Sequence, residues 1–277
     1  MIAGADRNSP RRAPFMDHDA MLKTQAPDTQ APVPAESPSP ALPGRLLVVI
    51  PAYNEAGRVG AVIDDLNREV PGAEVLVVDD GSSDATASEA RAAGAIVLQL
   101  PLNLGYGAAL QTGYKYALRN DYDFVAQIDG DGQHQAAFLP KLLAELENPH
   151  VHVAIGSRFL DGDGHYKPSN ARKLGMAVFG RIATIVTRQR VSDPTSGFQA
   201  MRIDVARFFC TSVYPTDYPD ADILILLYRS GYGVREVAVR MRPSAGKSMH
   251  SGHRSLYYVY KMSLSIFVTL LRKGTRR

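Results

Sequence analysis

The chain has 277 residues, of which 45% are apolar and 21% charged, enough to build a substantial core. Lysine and arginine number 31 against 28 aspartates and glutamates, a net charge of +3. That balance excludes a nucleic-acid binder working through bulk charge. The single cysteine, Cys210, excludes an internal disulfide or a cysteine-rich zinc site and points to a reducing compartment.

Residues 1–44 hold eight of the 18 prolines and no apolar run. Such a segment buries too little surface to offset the entropy of ordering, so a disordered tail is expected there. It also lacks the apolar stretch of roughly 7–15 residues that a signal peptide needs. The pattern then changes to strand, turn and helix, repeated. Leu46-Leu-Val-Val-Ile50 reads as a strand buried on both faces. A helix over 58–69 follows, with Val59, Val62, Ile63 and Leu66 on one face. Strands are expected over 74–78, 95–100, 124–128 and 151–155, and helices over 85–93, 107–118 and 138–146. This alternation implies an α/β fold: a mostly parallel sheet with helices on both faces. Ligands in such sheets bind beyond the carboxyl ends of the strands.

Three polar clusters stand at those ends: Pro51-Ala-Tyr-Asn-Glu55, Asp79-Asp-Gly-Ser-Ser-Asp84 and Asp129-Gly-Asp-Gly-Gln-His134. Turn formation and helix capping account for any one of them. Capping does not require paired carboxylates at sites that converge in space. Asp129 and Asp131 leave their strand on the same side and can share one cation, and Gly130 and Gly132 let the backbone turn and approach a ligand. Two carboxylates suit Mg²⁺ or Mn²⁺ completed by water and phosphate oxygens. An EF-hand is excluded because its twelfth position is Pro140. Asp79, Asp80 and Tyr53 read as a pocket for base and ribose. A dinucleotide fold needs its glycine fingerprint after the first strand, where Pro51 stands; Gly105-Tyr-Gly107 lacks the third glycine. A Walker loop is excluded because Met241 stands five residues before Gly246-Lys247-Ser248. His134, His165, His250 and His253 show no metal-ligand spacing.

Together these residues resemble the inverting family 2 glycosyltransferases of the GT-A fold, a Rossmann-like sheet, and within them the polyprenyl-phosphate sugar synthases of the dolichol-phosphate mannose synthase type. The resemblance spans Leu46 to Met249 and includes Asn103-Leu-Gly-Tyr-Gly-Ala108, Gly156-Ser-Arg-Phe159 and Asp193-Pro-Thr-Ser-Gly-Phe198. It implies that Pro51, Tyr53, Glu55, Asp80, Asp129, Gly130 and Lys247 hold the nucleotide sugar. It also implies that Asp129, Asp131 and Gln133 hold Mg²⁺ or Mn²⁺, and that Arg158 and Arg172 meet an acceptor phosphate. Arg242 and Lys247 lie in a loop resembling a basic lid over the diphosphate. Met176 and Met249 depart from the pattern, where the subgroup often has a hydroxyl and a lysine. A lipid phosphate acceptor is already an anion near pH 7; a hydroxyl acceptor needs a base, for which Asp220 and Asp193 are the candidates. Asp220 has Pro219 where an acidic residue usually precedes it, and both Asp220 and Asp222 can instead cap a helix over 223–228.

After Glu236 there is no acidic residue, and nine basic ones follow. Leu256, Tyr260, Leu264, Phe267 and Leu271 form a helical stripe too short to cross a bilayer, and Lys261 interrupts it. The stretch 251–277 thus reads as a basic amphipathic interfacial helix and tail following a catalytic domain over 45–250. A second such segment runs over 173–186. The alternative is that both pack on the domain or pair across a homodimer. The expected function is sugar transfer from a UDP- or GDP-linked donor to a polyprenyl phosphate at the cytoplasmic membrane face, bound peripherally and alongside a small membrane-protein partner. Transfer to a glycan or protein hydroxyl, or a non-catalytic nucleotide-sugar-binding role, are the alternatives.

Overall fold

The computed structural model describes residues 43–160, 180–181, 184–185, 191–211, 214–215, 219, 221–242, 264–266 and 268–269, all within the unit Pro38–Arg277. The tail through residue 42, Arg172, Asp220, Lys247 and most of both amphipathic segments lie outside the described residues.

The strands are β1 (Leu46–Ala52), β2 (Glu74–Asp79), β3 (Ile96–Gln99), β4 (Phe124–Gln127), β5 (Val153–Ser157), β6 (Gln199–Arg202) and β7 (Val234–Ala238). The helices are α1 (Val59–Glu69), α2 (Thr86–Ala92), α3 (Tyr106–Arg119), α4 (Leu139–Glu145), α5 (Ile203–Phe209) and α6 (Ala221–Arg229), with a 3-10 turn over Ala136–Phe138 before α4. The strands form one sheet ordered β3-β2-β1-β4-β6-β5-β7. Every pairing is parallel except those of β6, which runs against both β4 and β5.

The period-2 geometry of the strands divides the core. Leu47 and Val49 of β1 face one side with Leu76, Val78, Val125, Val153 and Met201. Val48 and Ile50 face the other with Val75, Val77, Ala126, Ala154 and Ala200. The first side is covered by α3, α5 and α6, the second by α1 and α4 together with Ala90 of α2. A Cβ on Gly113 of α3 would stand 2.4 Å from Val49 Cγ1, so only glycine permits this helix to lie so close to β1. Pro51 is accommodated near the end of β1 because β4 pairs only as far as Val49↔Gln127.

Two strands were not expected from the sequence, β6 and β7, and the fifth is displaced from 151–155 to Val153–Ser157. Its pairing with β7 continues to Ser157↔Ala238, while Val151 belongs to a turn in which its N–H donates to Asn148 O at 2.9 Å.

The described part of the C-terminal segment is helical, and one face of it packs on the domain. Ile266 joins the core, Ser265 Oγ donates to Asp222 Oδ2, and Arg229 Nη1 donates to Thr269 O at 2.9 Å. Leu264 and Val268 point outward, 47% and 40% exposed. Asp222 itself accepts the Ile223 N–H at 2.9 Å, the helix-start role expected as its alternative.

Candidate active site

The sheet topology brings the carboxyl ends of β1, β2 and β4 to one edge. The first two loops there are sewn together. Asn54, in the left-handed region at φ 56°, accepts the Ser83 N–H at 3.0 Å and donates its own N–H to Ser82 Oγ at 2.9 Å. The N–H groups of Glu55, Ala56 and Gly57 donate to Thr86 Oγ1 (2.8 Å), Asp84 Oδ2 (3.1 Å) and Glu89 Oε2 (2.6 Å). The polar residues of the second cluster therefore shape the first loop and present Tyr53, which is exposed, and Glu55.

Asp79 and Asp80 are both anchored within the chain. Asp79 accepts the Ser82 N–H at 3.0 Å and Gln99 Nε2 at 3.1 Å. Asp80, only 3% exposed, accepts the N–H groups of Leu104 (2.8 Å) and Gly105 (2.9 Å). Both carboxylates accept from the chain itself, and Asp80 fixes the loop that leads into α3.

The third cluster contains the concentrated charge. Asp129 Oδ1 accepts the Tyr106 hydroxyl at 2.8 Å, and Oδ2 lies 3.4 Å from Nε2 of the buried His134. Burial opposes ionisation of Asp129, but His134, Tyr106 and Arg158 outweigh it and hold the carboxyl below its ordinary value. Asp131 is pushed up, first by burial and then by the Asp129 charge. Its oxygens accept the Gln133 N–H at 2.9 Å and the Gln133 side-chain amide. Gln133, expected as a metal ligand, thus turns its amide nitrogen to Asp131 and orients that carboxylate. Gly132 has φ 75°. A Cβ on Gly130 would come within 3.3 Å of Ile50 and 3.5 Å of Glu55, so here close approach rather than an unusual dihedral favours glycine.

Glu55 completes the pocket. It pairs with Arg58 at 2.6 Å, yet burial, assisted by Asp131, Asp129 and Asp84, pushes its carboxyl up to about 7. The Asp129 charge raises the proton affinity of Asp131, and both raise that of Glu55, a concentration of negative charge that fits a divalent cation. Among the described residues, no three His, Cys, Asp or Glu side chains form a ready cage; a cation on Asp129 and Asp131 takes its other oxygens from water or phosphate.

Arg158 and Asp193 also differ from expectation. Arg158 donates to Asp193 through Nε (2.6 Å), Nη2 (2.5 Å) and its backbone N–H (3.1 Å), and through Nη2 to Thr195 Oγ1 at 2.7 Å. Their side chains are 5% and 0% exposed. Asp193 is therefore the buried counter-ion of Arg158, with no oxygen presented to a substrate as a base, and Arg158 is a structural cation close enough to Asp129 to lower its proton affinity. Arg242, expected over a diphosphate, donates to Asp65 Oδ2 on α1 at 3.1 Å. Its backbone N–H donates to Gln133 O at 2.8 Å, beside an antiparallel bridge between His134 and Met241. The chain leading into the basic loop is thereby clipped to the Asp129–Gln133 turn.

Tyr106, His134 and Gly197 were not assigned roles from the sequence. A Cβ on Gly197 would sit 2.7 Å from Tyr106 Oη and 3.1 Å from both Asp129 oxygens. The signal for Tyr106 was its place in Asn103–Ala108, at the start of a helix beside the site.

The family model described as Glycosyl transferase family 2 matches residues 47–209. The chain belongs to this family. An undecaprenyl-phosphate mannosyltransferase of Micrococcus luteus is 33% identical over 168 residues, covering 59% of this chain and 68% of the relative. A dolichyl-phosphate hexose transferase of Haloferax volcanii is 30% identical over 208 residues, covering 73% and 85%. Among solved structures, glucosyl-3-phosphoglycerate synthase from Mycobacterium tuberculosis, in complex with Mn²⁺, UDP and glucosyl-3-phosphoglycerate, superposes with a TM-score of 0.61 at 22% identity, covering 85% of this chain and 81% of that one. This family 2 glycosyltransferase thus has the mostly parallel GT-A-like sheet that the resemblance implied.

The Glu55 environment sets a pH dependence. A carboxyl with a folded value of about 7 against an ordinary 4.5 makes the folded state bind more protons than the unfolded one between those values. Stability therefore falls as pH rises from about 4.5 to 7 and levels off above. For a side chain 18% exposed, the change is on the order of 3 kcal/mol. Urea unfolding across that range without divalent cations should show the decline, and Glu55→Gln should flatten it.

Proposed function

We propose that this glycosyltransferase moves a sugar from a UDP- or GDP-linked donor to a polyprenyl phosphate at the cytoplasmic face of a membrane. The observation that carries this reading is the pocket of Glu55, Asp129 and Asp131 at the carboxyl ends of β1 and β4, with excess negative charge suited to a cation and a diphosphate. The names of the lipid-phosphate relatives and the UDP and Mn²⁺ of the neighbouring structure support it.

In this reading, Asp129 and Asp131 hold Mg²⁺ or Mn²⁺, which when bound offsets the charge growing on the departing diphosphate. Tyr106, His134 and Gln133 keep the two carboxylates in place. Tyr53 and the loop built on Asn54 flank the nucleotide, and Arg242, once released from Asp65, adds a cation near the diphosphate. An oxygen of the acceptor phosphate attacks the anomeric carbon from the face opposite the leaving group. A carbon–oxygen bond to that phosphate forms as the bond to the diphosphate breaks, the diphosphate keeps the electron pair, and configuration inverts. An acceptor already ionised needs no base, in keeping with the pairing of Asp193 to Arg158. The outward Leu264 and Val268 supply apolar contacts for a membrane surface; among the described residues, no helix is long and apolar enough to cross one.

The test is incubation with labelled UDP- and GDP-sugars plus either undecaprenyl phosphate in detergent or 3-phosphoglycerate. The proposal expects label extracted into organic solvent with the lipid acceptor. Label confined to phosphoglycerate, or no transfer to lipid from any donor, would overturn it.

A further inference from the structure

The strand directions separate two edges of the sheet. β4 and β5 both run against β6, hence parallel to each other, and β7 is parallel to β5. The starts of β5 and β7 therefore lie at the edge opposite Asp129. A groove of about 710 Å³ opens there, lined by the turns before those strands and by the end of α6.

Its chemistry differs from that of the candidate active site. Arg229, Arg235, His150, His152, Tyr228 and Tyr232 contribute to its wall, and among the described residues no aspartate or glutamate lines it. Arg235 is more than half exposed, and it makes a long ion pair of 3.7 Å with Glu145, which stands outside the lining. His152 is fixed. Its Nδ1 accepts the Gly233 N–H at 3.1 Å and its ring packs edge-on against Tyr232, with centroids 5.5 Å apart. A neutral imidazole accepting at Nδ1 carries its proton on Nε2, so the ring is committed as a donor. The backbone is shaped for the same wall. A Cβ on Gly233 would fall 1.8 Å from His150 O, so glycine alone lets the two turns meet, and Gly231 beside it has φ 84°. Arg229 bridges the groove to the C-terminal helix through Thr269 O.

We propose that this groove is a second ligand site, remote from the transfer site, that binds a phosphate group. An anchored imidazole N–H and an exposed guanidinium, without a lining carboxylate, match a multiply charged oxyanion, to which charge-assisted hydrogen bonds are strongest. The phosphate belongs either to a soluble ion or to an anionic lipid headgroup reached alongside the outward-facing Leu264 and Val268.

The full-length chain, labelled with ¹⁵N, is titrated with inorganic phosphate while the amides of Gly231, Gly233 and Arg235 are followed by NMR. Saturable shifts are expected in the wild type, with affinity reduced roughly tenfold in Arg235→Ala and again in His150→Ala. Both are surface changes away from the carboxylate pocket, so transferase turnover without added phosphate should stay unchanged. A parallel arm measures sedimentation with phosphatidylglycerol vesicles. Reduced sedimentation of Arg235→Ala assigns the site to a headgroup, and unchanged sedimentation with weakened phosphate binding assigns it to a soluble phosphate. Absence of saturable shifts, or equal affinities in the wild type and both variants, overturns the proposal.

Discussion

Replacing Asp131 by Asn should lower turnover by about 10²–10³-fold, the loss typical when one preorganised electrostatic contact to a transition state is removed, while leaving stability unchanged or slightly raised. The two effects diverge because of how Asp131 is held. Its proton affinity is raised by burial and by the neighbouring Asp129 charge, so the folded chain bears an electrostatic cost in keeping it ionised. Asparagine preserves the shape and removes that repulsion. Initial rates with a labelled sugar nucleotide, taken beside thermal melts, measure both sides. A variant that melts early and keeps its turnover would reverse the assignment and make Asp131 a structural residue.

Asp193→Ala should give the opposite signature. It strands the guanidinium of Arg158, 5% exposed, without its bidentate partner, and removing one member of a buried ion pair costs about 3–5 kcal/mol. Urea unfolding should show that loss. The double replacement Arg158→Met with Asp193→Leu should recover much of it, because a shape-matched apolar pair leaves no charge buried alone. If Asp193 were the base of the reaction, Asp193→Ala would instead retain stability and lose turnover. Ser192 and Asp193 are also tied to β7, their N–H groups donating to Glu236 at 2.9 Å. The pair therefore braces the turn before Gly197, where a Cβ would crowd both Asp129 oxygens.

Much of this architecture could be read locally. The β-branched run of β1 faces both cores and keeps its register, and Val59, Val62, Ile63 and Leu66 are the buried face of α1. The Asp129-Gly-Asp131 spacing identified the carboxylate pair because geometry within three residues is enough to place it. What escaped depends on distant partners. β6 is four residues long and carries Gln199 and Arg202; it becomes a strand only because β4 and β5 flank it. Arg158 and Asp193 lie 35 positions apart, and each alone looks like an active-site charge until the fold pairs them. The hold on Asp80 has the same origin, since its two oxygens accept N–H groups 24 and 25 residues away. Tyr106 reaches Asp129 from another helix, a contact no local pattern specifies.

Titration of Mn²⁺ into the full-length chain by calorimetry, with UDP or GDP present and repeated with Asp129→Asn and Asp131→Asn, probes the carboxylate pair most directly. The wild type should bind one Mn²⁺ per chain in the presence of one of these nucleotides, and each variant should bind it at least tenfold more weakly. Equal Mn²⁺ affinity in the wild type and both variants, or no binding by the wild type with either nucleotide, would contradict the assignment of this pocket to a cation and a diphosphate.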